Sequence, residues 1–564
     1  MTDVTFDPPG PGSWILDTNH LDKPRCGYVS DMLDRHATDG FRQGFARYGV
    51  LLDTIEFRTV NFLPYMAIRP LGAPPGATGT PPKWLFTLLL RLHPALRRRI
   101  KRASEVVATK SWREDAQQFI RALPEAESST AAFAREPIEE LSADAFVAHV
   151  EKLGRFGSAR IVQHFANVPL SILPVGDFLV FAAEAGISGA EAMAALRGYS
   201  PHSVAAGQAI QNAAAAIAAD PQARAILDAD TAPSDTLSLL RGAGDATARA
   251  MSLLLDRYGD AIVSGHDLTG LRVIELPELV VATLRAHVST HEHRGERDDR
   301  GERERASITE ALRARVPVSR RDEFDERLKD AREVYPIRDA QSNMDLWAFG
   351  LMRRTLLEAG KRLAAKGRVA HADDVFDATE AEVVGMLRGA STPTRDELHA
   401  RVQSRRHASL DGAPRVLGPV PGAPPPMDWM PTHAGRLARA FAAYRELMED
   451  PSIASDRTVV KGIAASVGRA RGRARLVRSV DDFGRLQKGD ILVAPTTTPM
   501  YNVILPLLAG IVTDRGGLLS HPAIVSREYG FPGIVGTKDA TSRIPDGALI
   551  EIDGTAGTVT VLPV

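Results

Sequence analysis

A single cysteine, Cys26, occurs in 564 residues, so no disulfide forms within the chain and no multi-cysteine metal site can be built. A chain so poor in thiols suits a reducing compartment, and the cytoplasm is the expected location. Neither sign of charge is in excess: 69 Lys and Arg stand against 70 Asp and Glu. Without a net field to attract a polyanion, neither nucleic acid nor a membrane is expected as a partner. Long hydrophobic runs are missing too. WLFTLLL at Trp84 to Leu90 and FLVFAAEAG from Phe178 fall far short of the ~20 residues that cross a bilayer. The opening MTDVTFDPPGPGSWILD has no basic segment ahead of an apolar core and does not read as a signal peptide.

WLFTLLLRLHPALRRRIKR runs an apolar block into a basic one, a pattern shared with interfacial membrane helices. The plainer expectation is a buried helix followed by a solvated basic segment, with Pro94 breaking one helix or starting another. The pair His291 and His293 lacks a third ligand, so no metal site is expected.

Hydrophobic residues make up 44% of the chain, enough for substantial cores in roughly three to four domains. FRTVNFLPYMAIRP reads as strand within an N-terminal segment, 1–82, that closes on the loop PLGAPPGATGTPP. From 83 to 390 apolar residues recur at three- and four-residue spacing, with alanine-rich stretches such as GQAIQNAAAAIAADPQARAIL, so a helical domain is expected. HEHRGERDDRGERER is too charged to bury and reads as an exposed helix end or loop. Residues 391–456 hold proline-rich segments and a short amphipathic helix, AGRLARAFAAYRELMED, which together read as linker and hinge. From 457 to 564 the period changes to short β-branched runs between glycines: RARLVRSV, DILVAP, AGIVTD, PGIVGT, ALIEID and TVTVL are strand candidates, with helices expected near 500–509 and 521–529. The fold class is thus multidomain: a mostly α-helical substrate-binding region plus a C-terminal α/β domain.

The chemistry concentrates in TDRGGLLSHPAIVSREY. Ser520 suits an N-cap and Pro522 the first turn, placing His521 at a helix N-terminus. Unpaired N–H groups there and the positive end of the dipole favour an anion, while Gly516 and Gly517 let the preceding loop bring further N–H groups close. The same field disfavours imidazolium, leaving a neutral and nucleophilic nitrogen. Arg515 or Arg527 is suited to add a charged donor for a phosphate held there. Residue chemistry alone leaves two readings of His521, a nucleophile or a structural histidine.

TDRGGLLSHPAIVSREYGFPGIVGT, with IPDGALIEIDGTAGTV, VKGIAASVGRARGRARLV and LQKGDILVAPTTTP, resembles the phosphohistidine swivelling domain of the phosphoenolpyruvate-utilising family. That family includes pyruvate phosphate dikinase, phosphoenolpyruvate synthase and rifampicin phosphotransferase. The resemblance covers Val459 to Val564 and implies that His521 is the phosphorylated residue. Leu519 and Ser520 depart from the ThrCys usual in the dikinase and synthase. LRGYSPHSVAAG, LLDRYGDAIVSGHD, AREVYPIRD and GKRLAAKGRVAHADDVFDATEAEV resemble the helical substrate-binding domain of rifampicin phosphotransferase.

Such proteins load the histidine from ATP on an ATP-grasp domain. These 564 residues hold no nucleotide-binding unit of that size, since GATGTPPK lacks the GK[ST] of a phosphate loop, and the phosphoenolpyruvate barrel is not expected either. The arrangement resembles the larger subunit of phenylphosphate synthase. The resemblance implies ATP and Mg²⁺ held by a separately encoded ATP-grasp partner, no cofactor bound by this chain, and a hydroxyl-bearing small molecule as acceptor. On the acceptor side, Arg332 or Arg338 is suited to clamp the phosphoryl group. His266 beside Asp267, or else His202, is suited to act as general base. Two other outcomes stay open: phosphorylation driving a dehydration or condensation, and a non-catalytic phosphohistidine relay.

Overall fold

A computed structural model describes residues 5–17, 23–263, 267–288, 298–410, 412–448, 459–478, 480–497, 501–502 and 504–562. The chain divides into two compact units. The first comprises Met1–Leu173, His266–Gly270 and Met344–Phe441; the second comprises Pro174–Gly265, Leu271–Asn343 and Ala442–Val564. Helices account for 61% of the chain, and the β-rich part lies at its C-terminal end.

The first unit carries a four-stranded antiparallel sheet of β1 (Trp14–Leu16), β2 (Leu52–Val60), β3 (Leu63–Pro70) and β4 (Val416–Leu417), in the order β2-β3-β1-β4. A two-residue turn, Asn61 and Phe62, joins β2 to β3, and both residues have positive φ, 49° and 65°. That twist matches the right-handed twist of the flanking strands. Helix Gly27–Tyr48 packs on this hairpin through Phe41, whose ring stacks on Phe57 at 6.1 Å.

The stretch expected to be a linker is more structured than its prolines suggested. Thr394 opens helix Arg395–His407 with a capping box to Glu397, and Val416 pairs with Ile15 to add β4 to the sheet. Helix Thr432–Met448 follows. Residues 83–390, expected to form one helical domain, are divided between the two units. Among the described residues one helix, Ala143–Glu184, is long and apolar enough to cross a membrane by length and composition, and 72% of its most apolar 18-residue window is buried in the protein.

The second unit contains an eight-stranded sheet of β5 (Val459–Lys461), β6 (Ile463–Ser466), β7 (Arg469–Leu476), β8 (Ile491–Ala494), β9 (Gly510–Thr513), β10 (Gly533–Val535), β11 (Leu549–Asp553) and β12 (Thr558–Val561). Its order is β5-β12-β11-β7-β8-β9-β10-β6, with a parallel centre from β7 to β10 and antiparallel flanks. All six strands expected from the sequence form; β5 and β6 are additions to them. Every residue of β8 and β9 is buried, as a parallel strand covered on both faces requires. Ile491 and Val493 join one core with Ile550 and Ile552. Leu492 and Ala494 point the other way, into a core shared with Ile210, Ala214, Leu254 and Leu284 of the helices Pro201–Ala219, Asp245–Tyr258 and Pro277–Val288. Around 500–509, where a helix was expected, the described residues show 3₁₀ geometry at Tyr501 and Asn502 and a 3₁₀ turn at Leu505–Leu507, with Pro506 in its first turn.

Candidate functional site

Parallel strands gather ligand-binding loops at their carboxyl ends, and the His521 site lies there. Thr497 follows β8, and the loop carrying Gly516 and Gly517 follows β9 and leads into helix His521–Tyr529. Gly516 has φ +119°, which a side chain rarely tolerates, and a Cβ on it would come 2.6 Å from Ser520 Oγ. A Cβ on Gly517 would lie 2.1 Å from the Leu447 carbonyl oxygen, so this glycine serves close approach of the chain at Leu447. Ser520 holds the N-cap backbone position without a side-chain cap bond. Its hydroxyl donates to the Gly517 carbonyl at 2.7 Å, so the helix's first N–H groups are left for another acceptor.

His521 is half-buried, and protein groups meet both ring nitrogens. Thr497 Oγ1 lies 2.8 Å from Nδ1, and Asn502 Oδ1 lies 3.1 Å from Nε2. A neutral ring has one N–H to give. With the Asn502 oxygen facing Nε2, that nitrogen carries the proton and Nδ1 accepts from the threonine hydroxyl. Burial, joined by the Arg338 charge, pushes the imidazole down to about 3. The neutral form expected from the sequence is present at physiological pH, although its first cause is desolvation.

Arg338, placed by the sequence among acceptor-side candidates, belongs to this cluster. It donates to the Leu519 carbonyl and, at 3.4 Å, to Tyr444 Oη. Arg527, expected to bind phosphate, is 4% exposed and donates to the Ala465 carbonyl at 3.2 Å. It lies six residues along the helix from His521, toward the end opposite the anion-favouring one. Its neighbour Glu528 accepts the Gly198 N–H at 2.8 and 3.0 Å through its two oxygens. Burial, reinforced by Asp339, pushes the Glu528 carboxyl up to about 8 against the pull of the Gly198 bond, Arg527 and Arg197.

Of the other acceptor-side candidates, Arg332, His202 and Asp267 are described. Arg332 spends its donors on the Ala195 carbonyl, at 2.9 and 3.1 Å, and on Thr309 Oγ1 at 2.7 Å, with its guanidinium 4.5 Å from the Tyr199 ring. His202 sits in the first turn of helix Pro201–Ala219, and its carbonyl accepts from Asn343. Asp267 falls in the first unit, where it pairs with Lys23 at 2.9 Å and accepts from Thr269. Burial opposes its charge, but those partners hold its pKa below the usual range. His266, His291 and His293 lie outside the described residues. Among the described residues no cluster of three or more His, Cys, Asp or Glu has metal-holding geometry.

Thr497, Asn502 and Tyr444 were not singled out by the sequence. LVAPTTTP contains three threonines in a row, and only the backbone path after β8 decides which one turns toward the imidazole. Gly207 is a further contributor. A Cβ there would meet Tyr529 Oη at 2.1 Å and the Asn502 carbonyl at 2.8 Å, so helix Pro201–Ala219 approaches the site through a missing side chain.

A histidine thus stands at a glycine-loop helix entrance at the carboxyl end of a parallel sheet, and comparison with known proteins finds matches over this region. Residues 486–557 match the family model described as PEP-utilising enzyme, mobile domain. Residues 179–339 match the rifampicin phosphotransferase fourth domain. The chain is 30% identical over 311 residues to an uncharacterized phosphotransferase, YvkC, of Bacillus subtilis, covering 55% of this chain and 36% of that one. It is 29% identical over 335 residues to the rifampicin phosphotransferase of Streptomyces sviceus, covering 58% and 36%. A probable phosphoenolpyruvate synthase of Methanothermobacter thermautotrophicus is 39% identical over 122 residues, 22% of this chain and 18% of that protein. The resemblance read from the sequence therefore holds over both regions, and phosphotransferases are among the relatives. The chain spans about a third of the length of the two phosphotransferases it matches.

Proposed function

We propose that this chain is a phosphotransferase component in which His521 carries a phosphoryl group from ATP to a hydroxyl-bearing small molecule. The observation that carries the reading is the neutral His521 at the mouth of helix His521–Tyr529, with Arg338 beside it. In the first half-reaction an imidazole nitrogen attacks a phosphorus of ATP, and the bond from that phosphorus to its leaving phosphate oxygen breaks. In the second, the acceptor oxygen attacks that phosphorus, the N–P bond breaks, and the hydroxyl proton leaves to a base. Arg338 and the free N–H groups of the helix entrance are suited to the charge on the transferring group.

ATP and Mg²⁺ belong, on this reading, to an ATP-grasp protein encoded separately. Arg332, His202, Asp267 and His266 are the weaker part of the proposal, because Arg332 and Asp267 are engaged with other partners. Incubation with ATP labelled at the β or at the γ phosphate, Mg²⁺ and a stand-alone ATP-grasp protein should give, from one of the two, an acid-labile, base-stable label that His521→Ala abolishes. A label that survives His521→Ala, or no label with any such protein, refutes the loading step.

A further inference from the structure

Helix Lys83–Leu92 was expected to be buried, and it is not. Only Leu90 is buried, and Phe86 faces inward, 6.2 Å from the Trp429 ring. Trp84, Leu88 and Leu92 are 69%, 43% and 65% exposed. At spacings of four residues they form one apolar ridge on the outer face, and Arg91 falls among them.

Along this stretch of chain the charge has one sign, while Asp428 lies in the turn Met427–Trp429 that packs against the helix. From Leu71 to Ser104 the sequence holds seven Lys and Arg and no Asp or Glu. Pro94 starts the next helix, Pro94–Thr109. There Arg99 and Arg102 are tied to the carbonyls of Val50 and Arg47. Arg91, Arg97 and Arg98 are exposed and have no partner among the described residues.

We infer that this face is a peripheral attachment site for an anionic lipid surface. A tryptophan and two leucines on a ridge beside unpaired guanidiniums match what an interfacial helix presents to headgroups and upper acyl chains. Clustered basic residues add attraction to anionic lipid, which weakens as salt screens it. A lipid surface takes up a convex ridge without matching its shape, whereas a protein partner would need an acidic groove built for it. The near-zero net charge of the whole chain does not oppose this, because the attraction acts within a Debye length.

The test is sedimentation of the full chain with vesicles of phosphatidylglycerol mixed with phosphatidylcholine, and with phosphatidylcholine alone. Binding is expected to the anionic vesicles only, and high salt should release it. Arg97→Gln with Arg98→Gln should weaken it roughly thirtyfold, taking about 1 kcal/mol per basic residue. Trp84→Ser with Leu88→Ser should abolish it without lowering the melting temperature, since both side chains are exposed. No binding to anionic vesicles at low salt, equal binding to both compositions, or binding indifferent to Trp84 and Leu88 overturns the inference. So does capture of an acidic protein by this face without vesicle binding.

Discussion

The hydroxyl of Thr497 lies 2.8 Å from Nδ1 of His521 and, with the Asn502 oxygen 3.1 Å from Nε2, holds the imidazole between two fixed partners. A hydroxyl both donates and accepts, so Thr497 can serve a ring protonated at either nitrogen. Asn502 selects Nε2–H in the present arrangement. Thr497→Val keeps the shape and deletes the hydrogen bond. Imidazole ¹⁵N spectra should keep the Nε2–H tautomer that Asn502 selects, while the ring, held on one side only, should be phosphorylated about a hundredfold more slowly, as small misplacements of reacting groups bring about. Thr497→Ser should restore the rate. Normal loading in Thr497→Val would show that Asn502 alone orients the ring.

Two groups of the site should titrate far from their ordinary values, in opposite senses. His521 is held near 3 by burial and Arg338, below the ~6.5 of an unfolded chain. Its contribution to stability is therefore complete above pH 6.5 and is lost progressively as pH falls toward 3, because only the unfolded state takes up the proton in that window. Its ¹⁵N shifts should stay those of a neutral ring down to about pH 4. Glu528 is raised to about 8, so its contribution is complete below the ordinary carboxyl range and declines as pH rises toward 8. Arg197, Arg527 and Asp339 are the charges that face it. Glu528→Gln should flatten the alkaline side of the melting profile, and His521→Gln the acid side. A His521 midpoint near 6.5, or profiles unchanged by both variants, contradicts the buried geometry.

Much of this was legible in the sequence. The strands β7 to β12 follow from β-branched runs between glycines, and the place of His521 at a helix entrance from the helix-start chemistry of GGLLSHP. What escaped was decided by tertiary contact. Ser520 looks like a capping serine, yet the loop turns its hydroxyl to Gly517. Arg332 and Arg338 lie six residues apart on one helix, and nothing local distinguishes the one bound to Ala195 from the one beside His521. Helix Lys83–Leu92 reads as buried because its apolar content is high, while burial depends on which face the protein covers. The proline-rich stretch reads as linker, but Val416 and Leu417 find an open sheet edge at β1.

Gly207 admits the Asn502 carbonyl and Tyr529 against helix Pro201–Ala219, since even a methyl group would overlap Tyr529 Oη. Gly207→Val should therefore push the helix and the mobile domain apart locally. Overpacking of this kind typically costs about 1–3 kcal/mol, which a lowered denaturation midpoint would register. Because Asn502 is displaced with it, His521 should also become more readily protonated as solvent reaches the ring. If Gly207→Val melts and titrates like the parent protein, the close approach has no role in shaping the site.

Arg338 stands at the point where positioning and charge separate. Its guanidinium anchors the Leu519 carbonyl two residues before His521 and also lowers the imidazole pKa. Arg338→Met removes both effects, whereas Arg338→Lys keeps the charge and loses the planar fork. Both variants should still present His521 for loading. If the charge stabilises the transferring phosphoryl group, acceptor transfer should fall by about a hundredfold or more in Arg338→Met and by less in Arg338→Lys. The His521 pKa should rise in Arg338→Met and stay low in Arg338→Lys. Equal transfer rates in the two variants, both far below the parent, would instead assign Arg338 to holding the loop at Leu519, and undiminished transfer in both would remove it from the reaction.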